Sequence, residues 1–591
     1  MISRILLMKK TTFFLMVMML SLASHSQSNI TVSNPEAQQV LFGNYDPSAY
    51  TPPVIISLSD SILHGIVNGV SPDTLQKWLE KIDSYHNRNT GSDTVSETRG
   101  IGAVRRWIHG KFNEIRAASG NRLLVSWMDF DLNVCGMGHH RNVLAVLPGL
   151  DTTKKELLIV EGHFDTRCQG GCDTACYTPG MEDNGSGTVL VMELARVMSR
   201  YAFDHTIMFA CVTGEDQGLY GAKALSKWIK DNDLPVKAVF NNDVIGGIIC
   251  GMTSSPPSCP YFNHIDSTHV RIFSYSPYND SSLASPHKQL ARYIRLHQEE
   301  RINPLLSTPM EINIILGEDR TGRSGDHIPF RQKGYTAIRF CSQNEHGNGS
   351  GTPPDRQHTS GDVLGLDLSV PPDGVIDTFF VDMNYLRRNT IMNGVNLGFL
   401  ALSPPMPQPV FTPVDGGMQI TMTGPDSLYL DYRVGVRSDN SGTLYFDTVY
   451  HFTGTAQIGI SGLDPGGEYY YSVANVADDF ESLFCEEYTV FPVGIRSQVR
   501  KDWGVELRQN VPNPFSDVTV IPVEVSENRR YPGALVIISD LAGRVVATIP
   551  ADLQPGENRI GFRNSGTLKG MHTYSLYIEG KKVATEKMVI F

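Results

Sequence analysis

The sequence predicts an α/β domain, a mixed β-sheet flanked by helices, followed by two all-β sandwich domains. Three observations carry that expectation. Short apolar runs alternate with helical patterns up to about residue 400, the rhythm of an α/β domain. A Pro-rich stretch then interrupts the chain, and beyond it the texture changes to short strand-like segments separated by turn residues. At 591 residues the chain is also too long for one core, so several domains are expected.

Residues 1–26 read as a secretory signal. Arg4, Lys9 and Lys10 form the positive end, and Thr11 to Leu22 is an apolar stretch too short to span a bilayer comfortably. Ser24-His25-Ser26 supplies small residues for cleavage. No other stretch is long and apolar enough to cross a membrane, so the mature chain is expected to have no transmembrane helix. The net charge of −12 argues against nucleic acid as a partner. Export permits disulfides, and the nine cysteines leave at least one unpaired within the chain. Cys168, Cys172 and Cys176 lie in a Gly-rich insertion and read as disulfides shaping a pocket mouth, with a thiolate zinc site as the alternative. Cys250 and Cys259 flank a Pro-rich loop they could close.

Residues 27–70 are polar with scattered Pro and Gly and read as an irregular lead-in. From Ser71 helices become plausible, and Ile101, Val104, Ile108, Phe112 and Ile115 recur at helical spacing. Segments 123–127 and 142–147 read as strands leading to a third, Leu157-Leu158-Ile159-Val160. That strand runs into Glu161-Gly162-His163-Phe164-Asp165. In an extended segment residues i and i+2 face the same way, so Asp165 could accept one ring N–H of His163 and leave the other nitrogen for a metal. A glycine turn, 180–187, then opens a helical run and carries Asp183. Strand 206–212 ends in Thr213-Gly214-Glu215-Asp216, and strand 238–242 ends in Asp243. Open α/β sheets bind ligands beyond the carboxyl ends of their strands, so these side chains mark the expected site.

The domain read over 71–400 is followed by a Pro-rich linker, 401–409, and β units at 410–495 and 505–591. Leu428 to Tyr432 and Thr443 to Tyr450 read as strands of the first unit. That unit, through Leu463-Asp464-Pro465-Gly466-Gly467-Glu468-Tyr469-Tyr470-Tyr471, resembles a fibronectin type III sandwich. The last unit resembles the C-terminal sorting domain of type IX secretion. It matches through Leu507-Arg508-Gln509-Asn510-Val511-Pro512-Asn513-Pro514-Phe515, Ile538-Ser539-Asp540-Leu541-Ala542-Gly543-Arg544 and the ending Glu586 to Ile590. This resemblance implies the type IX secretion machinery as partner, and export through the periplasm across the outer membrane to a secreted or cell-surface location.

A histidine among several carboxylates suits a pair of divalent ions sharing one bridging carboxylate. Residues 75–400 resemble the di-zinc exopeptidases of the bacterial leucyl-aminopeptidase type, metallopeptidase family twenty-eight. The motifs are His-x-Asp at 163–165, Asp-Asn-Gly-Ser-Gly from Asp183, the acidic pair Glu215-Asp216, Asp243, and His358-Thr-x-x-Asp362. The resemblance implies two Zn2+ ions and peptide substrates. It implies that His163 and Asp243 ligate one metal, that Asp216 and His358 ligate the second, and that Asp183 bridges them. Glu215 would be the general base, Asp165 the orienter of His163 and Asp362 an outer partner. Asp216 departs from the glutamate commoner there, being one methylene shorter.

Each position has a blander reading. Asp183 could shape a turn, Glu215 and Asp216 could be a solvated loop, and Asp243 could cap a helix. His346 reads as a surface residue, His139 and His140 as solvated, and His327 as structural or substrate-facing rather than ligating. The function expected is a secreted metallo-aminopeptidase, a hydrolase. A carboxypeptidase or glutaminyl cyclase of the same fold and a non-catalytic surface-binding protein are the rivals.

Overall fold

The computed structural model describes residues 27–591 apart from 255–257, 276–284, 350–351, 353, 415–416, 439–443, 464–466, 491–503, 527–528, 541–543, 565, 567 and 579. The signal segment, the Asp464–Gly466 turn and the Leu541–Gly543 motif lie outside the described residues. Two compact units are resolved. One holds the α/β part through Met406 with Asn475–Phe484, and the other holds Pro407–Ala474 and Cys485–Phe591.

The first unit is built on a nine-stranded sheet. Its strands are β1 (Ser28–Val32), β2 (Leu124–Val134), β3 (Met137–Leu147), β4 (Leu157–His163), β5 (Ile207–Val212), β6 (Val236–Asn242), β7 (His269–Phe273), β8 (Glu311–Ile315) and β9 (Ala337–Ser342). Their order across the sheet is β1-β2-β3-β5-β4-β6-β9-β7-β8. β4 pairs in parallel with β5 and β6, and β6 with β9, whereas β1, β2 and β3 form an antiparallel edge. The apolar run at 157–160 in β4 and the continuous apolar sequence of β5 follow from this placement, since every residue of both strands is buried.

Helices cover both faces. They are α1 (Pro35–Leu41), α2 (Ser59–Gly69), α3 (Pro72–Asp83), α4 (Gly100–Ala118), α5 (Ser186–Met198), α6 (Tyr220–Asp231), α7 (Pro286–His297), α8 (His327–Gln332) and α9 (Met383–Leu402). On one face, Leu225, Trp228 and Ile229 of α6 and Phe330 of α8 pack with Ile159, Met208 and Val239 of the sheet. On the other, α5 is buried almost throughout and packs against β4, α4 and α9. Asn242, at the end of β6, donates to Asn393 Oδ1 of α9 at 3.0 Å, and Asn389 donates to the Ile245 carbonyl at 3.2 Å. These buried amides fix the strand end from which Asp243 follows.

The lead-in is more ordered than its polar composition suggests. Ser28–Val32 adds a strand to the sheet edge, and Asn34 caps α1 by accepting from the Glu36 and Ala37 N–H groups. Tertiary pairing, invisible in local sequence, supplies that order. α9 runs through Leu402, so the Pro-rich connection begins at Ser403 rather than 401. His140 is buried, not solvated, and its Nε2 lies 2.9 Å from the Leu132 carbonyl because β3 turns it inward. His346 is likewise buried beside Asp355, at 3.2 Å. The cysteines resolve into Cys135–Cys172, Cys168–Cys176 and Cys250–Cys259, leaving Cys211, Cys341 and Cys485 as buried thiols. The thiolate zinc alternative is thereby set aside.

The second unit contains two pairs of antiparallel sheets. In the first pair, strands at Val410–Val414, Gly417–Thr421 and Gln457–Ser461 face a sheet built on Asp431–Ser438 and Tyr469–Ala477 across a core of Ile420, Tyr432, Val434, Ile458 and Val473. The expected strand at Leu428–Tyr432 begins only at Asp431, because Gly424–Leu428 is a 3-10 turn. In the second pair, Val523, Ile538, Tyr574 and Leu576 meet between the sheets. The Tyr574 hydroxyl donates to the Arg508 carbonyl at 2.9 Å and accepts from the Asn510 N–H at 2.7 Å, pinning the segment that enters this sandwich.

One buried cation in the first unit links fold to pH. Lys237, at the start of β6, donates to Ser403 Oγ at 2.7 Å and lies 3.2 Å from His205 Nε2. Burial lowers its ammonium to about 8, with Glu156 opposing and Lys154 adding to the shift. Between that value and the ordinary lysine range the unfolded chain holds a proton the folded chain has shed, so this group adds stability as pH rises through the window. Replacing Lys237 with Met should raise the melting temperature at pH 7, on the order of 2 kcal/mol in stability. The advantage over wild type should shrink by pH 10, as checked by calorimetry at both values.

Candidate metal centre

The carboxyl ends of β4, β5 and β6 open on one crevice. β4 delivers His163, wholly buried. Its Nδ1 donates to the Asp165 main-chain carbonyl at 3.2 Å, while the Asp165 carboxylate stands 3.6 Å away. That carboxylate instead accepts the Glu215 and Asp216 N–H groups, each at 3.3 Å. Asp165 therefore orients the imidazole through its backbone, and its side chain holds the turn after β5. This revises the side-chain contact expected from i, i+2 geometry. Nε2 of His163 is left facing the crevice.

Asp183 sits in the turn Met181–Gly185 between β4 and α5. The turn is built by close approach. Gly180 has φ 54°, and a Cβ there would meet Thr166 Cγ2 at 2.2 Å. At Gly187 a Cβ would meet the Asn242 carbonyl at 2.1 Å. The Asp362 carboxylate accepts the Glu182 and Asp183 N–H groups at 2.9 and 3.0 Å, and its carbonyl accepts that of Met181 at 2.9 Å. Asn184 donates to the Asn242 carbonyl at 2.8 Å, tying the turn to the end of β6. Arg88 joins the same turn to β4 by donating to the carbonyls of Phe164 at 2.9 Å and Gly180 at 3.0 Å.

The five residues expected to ligate converge. His163 Nε2 lies 3.4 Å from Asp183 Oδ1 and 3.5 Å from Asp243 Oδ1. His358 Nε2 lies 3.2 Å from Asp183 Oδ2 and 3.2 Å from Asp216 Oδ1. One carboxylate thus addresses two imidazoles, one through each oxygen. His358 adopts φ 59° and donates from Nδ1 to Asn348 Oδ1 at 2.7 Å, so its Nε2 is also free. Arg339 grips the other oxygen of Asp243 at 2.8 Å and is itself held by Asp319 at 2.6 Å.

This donor set fits divalent cations. Both imidazoles give their Nδ1–H to a fixed acceptor and turn Nε2 toward carboxylates. His163 Nε2, Asp216 Oδ2 and Asp243 Oδ1 are buried and lack a hydrogen-bond partner among the described residues. Lone pairs facing lone pairs at such distances call for positive charge between them. The field is strong: against burial, which lowers it, Asp216 and Asp183 hold the His358 imidazole up to about 9.

Glu215 lies beside these groups. Desolvation raises its carboxyl well above the ordinary range, with His163 opposing and Asp243, Asp326 and Asp216 adding to the shift. Two further acids, Glu161 and Asp326, are buried within the same field. Burial pushes Asp326 up to about 8, with His163 opposing and Asp165 and Asp243 adding, and it raises Glu161 well above its usual range, with Asp326 adding. Glu161 precedes His163 by two residues on β4 and reads locally as one more strand-end acid. Asp326 was overshadowed by His327, which lies buried at the start of α8 with Nε2 2.7 Å from the Glu318 carbonyl.

Fold and site define a class, an α/β protein whose crevice gathers candidate metal ligands at the carboxyl ends of parallel strands. Residues 142–365 match peptidase family M28. A probable zinc metalloprotease of Pyrenophora teres f. teres is 30% identical over 366 residues, covering 59% of this chain and 71% of that protein. Another from Leptosphaeria maculans is 30% identical, covering 59% of this chain and 78% of that protein. A third, from Phaeosphaeria nodorum, is 31% identical, and the match spans 61% of its length. The chain belongs to peptidase family M28. Among solved structures, the Legionella pneumophila LapA aminopeptidase aligns with a TM-score of 0.41 and 19% identity, over 58% of this chain and 75% of that one. Porphyromonas gingivalis glutaminyl cyclase aligns with a TM-score of 0.38 and 15% identity, over 56% and 98%.

Asp362 is the keystone of the Asp183 turn. Asp362→Ala leaves two buried N–H groups without an acceptor, a cost of about 1–3 kcal/mol each. The variant should melt several degrees below wild type, and Asp362→Asn, which keeps one acceptor oxygen, should fall between them.

Proposed function

We propose that this chain is a secreted zinc-dependent aminopeptidase holding two zinc ions. The observation that carries the reading is the Asp183 carboxylate, with Oδ1 directed to His163 and Oδ2 to His358. His163, Asp183 and Asp243 would hold one ion, and Asp183, Asp216 and His358 the other. Bound there, zinc supplies Lewis-acid polarisation of the scissile carbonyl and makes water a nucleophile at neutral pH. Membership in family M28 and the zinc named for the relatives support the metal and the reaction class.

The chain's own groups do the remaining work. Glu215, its carboxyl raised well above the ordinary range by burial, takes the proton from the attacking water and returns it to the leaving amine nitrogen. Asp165 keeps Glu215 and Asp216 in register through their N–H groups. Arg339 and Asn348 fix the outward faces of Asp243 and His358, so neither ligand must reorganise during turnover. The first β-sandwich is proposed as a fibronectin-like spacer. The second is proposed as a type IX sorting domain that, with the N-terminal signal, exports the enzyme to the cell surface or medium.

Glu215→Gln should lower kcat by about 10²–10⁴-fold while zinc content stays at the wild-type level, as measured by elemental analysis beside steady-state kinetics. Near-normal turnover would remove Glu215 as the base. A chelator should abolish hydrolysis of an unblocked peptide mixture, and added zinc should restore it. Peptides blocked at the amino end should resist cleavage, whereas those blocked at the carboxyl end should not. The reverse pattern would indicate a carboxypeptidase.

A further inference from the structure

Arg167 lies two residues beyond Asp165, at the neck of the insertion between β4 and α5. Its Nε donates to Asp216 Oδ1 at 3.1 Å, the same oxygen that stands 3.2 Å from His358 Nε2. The second oxygen, Oδ2, is buried without a hydrogen-bond partner among the described residues. The guanidinium therefore fixes the rotation of this carboxylate, and with it the oxygen that faces His358 and the one left bare.

The loop that carries Arg167 is built as a brace. Thr178 Oγ1 donates to the Arg167 carbonyl at 3.1 Å, and the Cys168–Cys176 disulfide closes the neck just beyond. The tip is fastened by Cys135–Cys172 to the turn between β2 and β3. There the Gly171 carbonyl accepts from Asn89 Nδ2 at 2.9 Å and from Gln217 Nε2 at 3.3 Å. Gln217 follows Asp216, so the loop grips that segment twice, once at its carboxylate and once at the next side chain. Residues 169–175 are otherwise mostly exposed and add little to the core, so packing gives no account of two disulfides in so short a stretch.

Asp243, the corresponding carboxylate beside His163, is held by Arg339, which is wholly buried and anchored on the strand β9. The two terminal acids are thus each clamped by one arginine, but by clamps of different kinds. One is part of the sheet, and the other sits on a covalently closed surface loop.

We propose that Arg167 is a positioning residue for the second cation, and that the disulfide-closed loop 168–176 sets the affinity of the Asp216–His358 half of the centre independently of the His163–Asp243 half. This rests on the two-ion reading above. Loss of the clamp frees Asp216 to rotate away from His358, so the second ion is held less tightly while the first is unaffected.

The test is zinc titration of the full chain against a competing chromophoric chelator, which reads metal affinity without any assay of activity. Wild type should bind two ions. Arg167→Met should bind one ion at wild-type affinity and the other about 10–100-fold more weakly, the range typical when a partner of a metal ligand is removed. Arg167→Lys should recover part of the loss. Mild reduction of the wild-type chain should weaken the same single ion, and should have no further effect in Arg167→Met. Two ions bound by both proteins with unchanged affinities would overturn the proposal, as would equal weakening of both ions. Fewer than two ions in wild type would instead overturn the two-ion reading on which it rests.

Discussion

Everything at the crevice depends on one buried carboxylate with an imidazole facing each of its oxygens. Asp183 does not choose that posture. It is imposed by the backbone of the turn, whose N–H groups are taken by Asp362 and whose glycines admit Thr166 and the end of β6. Burying Asp183, Asp216 and Asp243 within reach of each other is costly unless positive charge answers them. The chain supplies part of that charge through Arg339 on the outward oxygen of Asp243 and through Arg167 on Asp216 Oδ1, the oxygen that also faces His358. His163 Nε2, Asp243 Oδ1 and Asp216 Oδ2 are left without a hydrogen-bond partner among the described residues.

The sheet explains why such distant residues meet. β4 lies between β5 and β6, all three in parallel, so His163, the 215–216 turn and Asp243 leave the sheet at the same edge. The return of the chain after β9 brings His358 over the top, and α9 holds the end of β6 through Asn393. Positioning comes from regular strands, and the chemistry is displayed on the short connections that follow them.

Much of this was legible in the sequence because it is written in local patterns. Apolar runs bounded by Gly and acidic residues identify β4, β5 and β6, since strands buried on both faces have no polar alternation to hide in. The candidate ligand positions follow from the resemblance to the di-zinc exopeptidases, carried by the strand-end motifs and by the ordered segments around Asp183 and His358. What could not be read is whatever depends on a distant partner. The lead-in gains a strand only because β2 offers an edge. His140 and His346 look like surface residues until tertiary structure encloses them. Arg88, Arg167 and Arg339 have no local signature, and their meaning lies in carbonyls and carboxylates tens of residues away. The Asp165 contact depends on a distant partner too, because its carboxylate is drawn to the Glu215 and Asp216 N–H groups and its carbonyl is left nearer the imidazole.

The central claim is that one carboxylate serves two cations. It is tested most directly by crystals of the zinc-loaded protein measured on both sides of the zinc absorption edge. The account predicts two anomalous peaks roughly 3.5–4 Å apart, one on each side of the Asp183 carboxylate. A single peak, or two peaks of which only one touches Asp183, would contradict it.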